Sequence, residues 1–412
     1  MGFDRISQRV DAPAGTPTVA SEAVHRGRPA VGRSFRLHRP RGPICGDGYC
    51  FQCALETPEG RALACTTPAG TAPPRVDALR PLGRMAEQWP PWFWERRFLR
   101  PAFARRRYLD VLRRMSAAPA LGRRPDAPDG RSWREESTNV AVVGEGATIG
   151  GTALGLYAER TLLVLRPDAL VVLAFERLVV SERPYPRLPP IAGNDLPGVV
   201  GVSAWERYVS AGGVPSGVRV AVWGDEVAQA RVRALAYETG ADVVWSSARA
   251  PRRLLGRARV RAVEAGDRIP CDVFVVGVQQ PALELVLQAG AGASLTSDEL
   301  PIVVPRDLPE WLDLRGGTAA ASSGVPDVPA QDEAFACLCE DVRVRDVRAA
   351  VAAGFDHPEL VKRRTGALTG PCQGKLCAPL VLSLLREGGG DHGPTRARPL
   401  VRPVRLGDLA AR

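Results

Sequence analysis

Eight of the nine cysteines in this 412-residue chain fall into two groups of four. Cys45, Cys50, Cys53 and Cys65 lie toward one end, Cys337, Cys339, Cys372 and Cys377 toward the other, and Cys271 stands alone. Ordinary apolar packing needs no such grouping, whereas a metal or cluster site needs several thiolates that the fold can gather. The opening residues MGFDR are not a positive leader followed by an apolar run, and nowhere do eighteen apolar residues follow one another. Neither a secretory signal nor a membrane-spanning helix is therefore expected, and a cytoplasmic chain is. In that setting the thiols read as ligands rather than as a disulfide framework.

The first group has the spacing Cys-x4-Cys-x2-Cys-x11-Cys. Three thiolates from one loop and a fourth from further along is the plant-type arrangement for a 2Fe-2S cluster. Gly46 and Gly48 suit a loop that must wrap a cluster with unusual dihedrals. The alternation over 54–57, the turn at Pro58-Glu59-Gly60 and the run 61–64 read as a hairpin, which would return Cys65 to Cys53. The plain alternatives are a zinc site or four free thiols. The second group, Cys-x-Cys-x32-Cys-x4-Cys, needs helical segments near 342–353 and 357–364 to fold back before its pairs can meet. Zinc stays open there too, because the thiolate count does not fix the metal.

The charge of +10 is carried almost wholly by arginine, Lys362 and Lys375 being the only lysines among 55 basic residues. The arginines are spread along the chain without a nucleic-acid motif, so no nucleic-acid partner is expected; an acidic protein partner suits the charge better. Between Met85 and Met115, Trp89, Trp92, Phe93, Trp94, Phe98, Phe103 and Tyr108 interleave with eight arginines. That composition fits a protein interface, or an amphipathic helix packed on its own domain. Residues 116–137, rich in Pro, Asp and Gly, read as a linker.

Residues 138–146, TNVAVVGEG, look like the first strand and glycine turn of a dinucleotide-binding unit, with Gly144 and Gly146 in place and Ile149 where a third glycine is expected. Two alignments fit the residues beyond this turn. In one, 147–158 form the helix and 161–165 the second strand, placing Asp168 where an acid contacts a ribose. In the other, 155–180 are already a late strand meander and the adenosine-binding unit has been lost; we prefer this one. A second nucleotide-fold half runs from the strand 218–224 through a helix at 226–238 to a strand at 241–245. Its glycine motif has become Gly224-Asp225-Glu226, which puts negative charge where a pyrophosphate would sit, so NAD is not expected. Cys271, on an apolar strand after Pro270, reads as a buried structural thiol.

RSFRLHRPRG at 33–42, the stretches 178–184 and 267–282, the phrase PIAGNDLPGVV at 190–200 and the ending 398–409 resemble the α subunits of heterotetrameric sarcosine oxidase and their relatives in hydrogen cyanide synthase, opine oxidase and D-hydroxyproline dehydrogenase. Cys337 to Cys377 resembles the bacterioferritin-associated-ferredoxin type of 2Fe-2S domain found in the same subunits. The resemblance implies an α/β fold with flanking small domains: a ferredoxin-like, β-grasp-type 2Fe-2S module (1–80), an aromatic connector and linker (81–137), a truncated Rossmann-like FAD/NAD(P)-binding-type domain (138–314), a linker (315–331), a helical second cluster domain (332–390) and a tail (391–412). It implies two 2Fe-2S clusters on the eight cysteines, and His38 in a structural or interface role. FAD is the family's cofactor for the glycine turn; with only Gly144, Gly146 and Asp168 left to hold it, FAD is expected to bind weakly or not at all. No catalytic residue is assigned. The implied activity is electron transfer within a hetero-oligomeric oxidoreductase whose partner, an amino-acid-oxidase-like flavoprotein, oxidises a small amine or amino acid of the sarcosine, glycine, D-hydroxyproline or opine class. The alternatives are a chain that is itself the FAD-bearing catalytic subunit, or a non-enzymatic iron-sulfur scaffold or redox sensor.

Overall fold

Runs of buried β-branched residues and short amphipathic segments alternate along the chain, and the computed structural model turns them into small sheets joined by helices. It describes residues 15–34, 36–37, 39–57, 60–70, 132–158, 160–296, 300–319, 322–390, 392–395, 397–402 and 409. The aromatic connector, the Pro58-Glu59 turn and His38 lie outside the described residues, as do the first fourteen.

The N-terminal part opens with α1 (Val19–His25), whose Thr18 cap and Ser21 form a capping box. Strands β1 (Gly32–Arg33) and β2 (Pro40–Arg41) pair antiparallel, and β3 (Ala54–Thr57) and β4 (Gly60–Leu63) make the expected hairpin.

Strand β5 (Ser132–Gly144) does not lead into a helix. The chain passes instead to β6 (Thr152–Ala158), β7 (Thr161–Leu165) and β8 (Ala169–Ser181), an antiparallel meander in which β8 also pairs parallel with β5 along its whole length. The alignment with a helix at 147–158 is thereby corrected: 147–151 are loop and 152–158 strand, and the meander alignment fits. β5 also begins inside the segment read as a linker. Its first residues are mostly polar and little buried, and backbone pairing with β8 holds them in the sheet.

After β9 (Tyr185–Pro186) comes a four-stranded parallel sheet in the order β10-β16-β11-β12, built from β10 (Val199–Gly201), β11 (Arg219–Trp223), β12 (Asp242–Ser247) and β16 (Val273–Val276). Helix α2 (Val202–Ser210) follows β10, and α3 (Glu226–Thr239) joins β11 to β12. Every residue of β16 and Val220 to Trp223 of β11 are buried, the continuous apolar burial of a central parallel sheet. Strands β13 (Arg253–Gly256), β14 (Val260–Ala265) and β15 (Asp267–Pro270) form an antiparallel flap.

Strand β17 (Gln279–Gln280) returns to β9, α4 (Glu284–Gln288) follows, and β18 (Gly292–Leu295) pairs with β19 (Val303–Arg306). Strand β20 (Leu312–Leu314) adds to β8, and α5 (Gly316–Ala319) packs Thr318 into the interior, where its hydroxyl meets the backbone N–H and C=O of Glu182. The segment 315–331 is thus partly packed, with Val325 buried, rather than a free linker as its composition suggests.

Strands β21 (Phe335–Cys337) and β22 (Val342–Arg343) then lead into α6 (Val344–Ala352), α7 (Pro358–Thr365) and α8 (Ala378–Glu387). Helices α6 and α7 match the expected segments; α8, with six buried residues, was not anticipated. The first cysteine group shares a buried core with the parallel sheet, and the second shares one with the meander. Among the described residues no helix is long and apolar enough to cross a membrane.

Candidate metal centres

The first cysteine loop is shaped by left-handed residues. Gly46 and Gly48 have φ of 75° and Phe51 of 57°, so the loop curls and turns Cys45, Cys50 and Cys53 inward. A side chain at Gly46 would fall 2.7 Å from the Ala204 Cα of α2, which makes glycine obligatory on two counts. The hairpin delivers Cys65, whose Sγ lies 3.4 Å from Cys53 Sγ, and all four thiols are buried.

Burial alone would raise the Cys45 pKa, yet hydrogen bonds from Cys50 and Cys65, together with the Asp47 N–H, hold it well below the ordinary thiol range. Cys50 and Cys65 are pushed up. Four thiols sharing one dry shell, with one thiolate favoured at its neighbours' expense, form a donor set suited to a cation or cluster. The Tyr208 hydroxyl is buried with no protein partner, and its pKa is raised well above the ordinary value, first by burial and then by the charges of the four cysteines. A buried O–H donor beside sulfur ligands suits an acceptor supplied by a bound group.

The second group is equally dry. Cys339 meets Cys372, and Cys337 meets Cys377, each pair sharing a hydrogen bond. The hydrogen bond with Cys339 lowers Cys372 to about 7 against the opposing effect of burial. Gly370 permits the approach of the two chain segments, since a Cβ there would lie 2.2 Å from Cys339 Cβ. Gln373 and Gly374 then turn left-handed, and Cys377 stands at the N-terminal boundary of α8. Among the described residues no three His, Cys, Asp or Glu side chains are arranged to hold a single metal ion.

The two groups abut. Buried Arg39 donates from Nε to Asp341 Oδ1 at 2.6 Å and from Nη2 to the Leu338 carbonyl, and Arg41 Nη2 donates to the Cys339 carbonyl at 2.8 Å. Asp341 Oδ2 also accepts from the backbone N–H groups of Arg36 and Leu37, at 3.1 and 3.0 Å. Burial works against the Asp341 carboxylate, but Arg39 and Arg41 hold its pKa below the usual range. Sequence reasoning missed this clamp: Arg39, Arg41 and Asp341 carry no spacing that links residues some three hundred positions apart.

The residues expected to hold FAD are not brought together. Gly144 pairs with Ser181 at one end of the β5–β8 pair, while Ala169, next to Asp168, pairs with Ser132 at the other. Twelve residues of strand between them amount to roughly 40 Å. Asp168 lies in the β7–β8 turn, exposed and paired with Arg134 at 2.8 Å, and not at the end of a second parallel strand. Gly144 has its own packing reason, since a Cβ would sit 2.2 Å from the Ser181 carbonyl, whereas Gly146 faces open space. In the other half, Asp225 caps α3 by accepting from Ala228 N–H at 2.8 Å, so a carboxylate fills the helix end a pyrophosphate would use. Gly224 lies against Gly277, where a Cβ would be 2.8 Å from the Gly277 Cα. Cys271 is fully buried, which pushes its thiol up to about 12, in keeping with a structural role.

Comparison with known proteins agrees with the two ends of the chain. Residues 331–412 match the sarcosine oxidase A3 domain family, and residues 7–71 the 2Fe-2S iron-sulfur cluster binding domain family. An opine oxidase subunit of Rhizobium meliloti (strain 1021) is 39% identical over 83 residues, 19% of this chain and 18% of that protein. The alpha subunit of sarcosine oxidase from the same organism is 24% identical over an alignment of 558 residues, 95% of this chain and 56% of that protein.

The chain is thus similar to subunits of sarcosine and opine oxidases. It spans little more than half the length of the longest-matching of these relatives. Because the 558-residue alignment exceeds this 412-residue chain, that relative carries sequence absent here. Among solved structures, L-proline dehydrogenase from P. horikoshii superposes with a TM-score of 0.56 at 16% identity over 68% of this chain and 81% of that one, a likeness of fold.

Proposed function

We propose that this chain is the iron-sulfur electron-transfer subunit of a multi-subunit oxidoreductase, with a 2Fe-2S cluster on Cys45, Cys50, Cys53 and Cys65 and another on Cys337, Cys339, Cys372 and Cys377. The observation that carries the reading is the gathering of four buried thiols in each group. A 2Fe-2S cluster takes four thiolates, two at each iron, and in each group the four thiols are buried and touch one another: Cys45 with Cys50 and Cys65, Cys53 with Cys65, Cys339 with Cys372, and Cys337 with Cys377. Mononuclear zinc would instead draw four thiolates around one point.

Such clusters, when bound, pass electrons singly, so two of them divide the pair of electrons delivered by a reduced flavin. The chain's own residues keep the sites dry, orient the thiolates through Gly46, Gly48 and Gly370, and lock the sites together through Arg39, Arg41 and Asp341. We further propose a ferredoxin-like module up to about residue 80, a helical second cluster domain of the bacterioferritin-associated-ferredoxin type over 332–390, and a partner flavoprotein that oxidises a small amine or amino acid. FAD binding by this chain is weak or absent in this account, since Gly144 and Asp168 stand at opposite ends of a strand pair.

The test is isolation of the native complex through a tag on this chain. The account expects a flavin-bearing partner protein, and bleaching of the cluster absorbance when substrate is added without oxygen. A lone chain that oxidises an amino acid would overturn it.

A second reading, a flavin held by this chain itself, draws on a cavity of about 390 Å³ beside the second cysteine loop, lined in part by Tyr185, Gln280, Glu284 and Lys375. Near-stoichiometric flavin in the chain purified alone would favour that reading.

A further inference from the structure

We propose that Gln52 is a positioning residue that ties the two thiolate sites into one electron-transfer pair, by donating from the first cysteine loop to a sulfur of the second. The proposal rests on the two-cluster reading above. Gln52 lies between Cys50 and Cys53 and is 1% exposed. Its Nε2 is 3.5 Å from Cys339 Sγ and 3.3 Å from the Cys50 carbonyl, and Cys339 Sγ itself lies 3.9 Å from that carbonyl. A ligand of one site therefore touches the backbone of a ligand of the other.

The orientation of the amide is set by its neighbours. A thiolate sulfur and a carbonyl oxygen are both acceptors, so only the NH2 end of the side chain fits between them. The Oε1 end is left buried with no protein partner, which is the cost of presenting the donor to the sulfur. The Arg39–Arg41–Asp341 clamp holds the two chain segments together independently of Gln52. Replacing Gln52 therefore removes a donor without releasing the junction.

With clusters bound, electron exchange between the sites would be a single-electron step in which one cluster is oxidised and the other reduced, with no proton moved and no bond made or broken, and the Cys50–Gln52–Cys339 contact is the protein path that would join them. A hydrogen bond to a ligand sulfur also favours the more negative, reduced state, so it raises the potential of the cluster that Cys339 holds.

The experiment is a redox titration of the purified, iron-loaded full chain followed by electron paramagnetic resonance, for the wild type, Gln52→Leu and Gln52→Asn. In the fully reduced wild type the two signals should broaden or split one another, a readout that needs no variant. Gln52→Leu, of similar size, should keep its full iron content, lower the midpoint potential of the second cluster and leave the first nearly unchanged, with Gln52→Asn intermediate. Non-interacting signals in the wild type, or full iron with an unmoved second potential in Gln52→Leu, would overturn the proposal. A wild-type chain that carries zinc, or iron at only one site, would overturn the two-cluster reading itself, and the metal content separates that failure from the other.

Discussion

The first cysteine loop and the glycine turn at the end of β5 are both motifs of short spacing, and their fates in the fold are opposite. At the cysteine loop the hairpin brings the distant fourth residue back to 3.4 Å from the third. At the glycine turn the acid that would complete the site stands at the far end of the strand pair, and a short loop and then strand stand where the helix would present its N-terminus. Gly144 persists because Ser181 leaves no room for a Cβ, not because a phosphate approaches. A motif letter survives for packing or for chemistry, and only convergence of the whole set tells the two apart.

The comparison can be broken most forcefully at a ligand. Cys53→Ser removes one of the paired sulfurs and should cost the first cluster, about half of the iron and half of the visible absorbance, since each site would hold two irons. Retention of the full iron content on metal analysis would show that Cys53 is not a ligand.

Glycines sharpen it next. Gly370→Ala places a Cβ against Cys339 Cβ and should destabilise the chain by about 1–3 kcal/mol, as overpacking does, while depleting iron at the second site only. Gly144→Ala should destabilise by a similar amount, through its clash with the Ser181 carbonyl and its positive φ of 99°. Gly146→Ala, with φ of 72° and open space around it, should cost only about 1 kcal/mol in thermal or denaturant unfolding. Neither change in the β5 turn should alter iron or flavin content; a loss of bound flavin from Gly146→Ala would restore the turn as a cofactor site.

The smallest expected effect lies in the parallel sheet, away from both clusters. The hydrogen bonds from Arg219 lower the Asp272 pKa, with burial opposing them. Because the folded-state pKa is depressed, the pair contributes stability above the unfolded carboxyl pKa of about 3.9, and that contribution fades as pH falls through the folded value. The pair is partly exposed, so Asp272→Asn should cost no more than about 1 kcal/mol near neutrality and nothing at lower pH. Denaturant unfolding at two pH values reads this directly, and an equal cost at both would show a packing role instead.

The sequence made the cysteine groups, the β3–β4 hairpin, the parallel half-sheet and helices α6 and α7 legible because each is a local pattern: a spacing, an alternation or a run of β-branched residues. It did not reveal that polar residues from Ser132 onward join a sheet, since their partner strand supplies the apolar surface. Nor did it reveal the packing of Thr318 within a Gly- and Ser-rich stretch, or the meeting of the two cysteine sites through Arg39, Asp341 and Gln52. Those contacts join residues hundreds of positions apart, and no periodicity encodes them.

The central claim, that the buried thiols of both groups hold iron-sulfur clusters, is tested most directly by metal and acid-labile sulfide analysis of the chain purified without oxygen. The account expects about four iron and four sulfide per chain, two of each for every 2Fe-2S cluster. Stoichiometric zinc without sulfide at either group would contradict it.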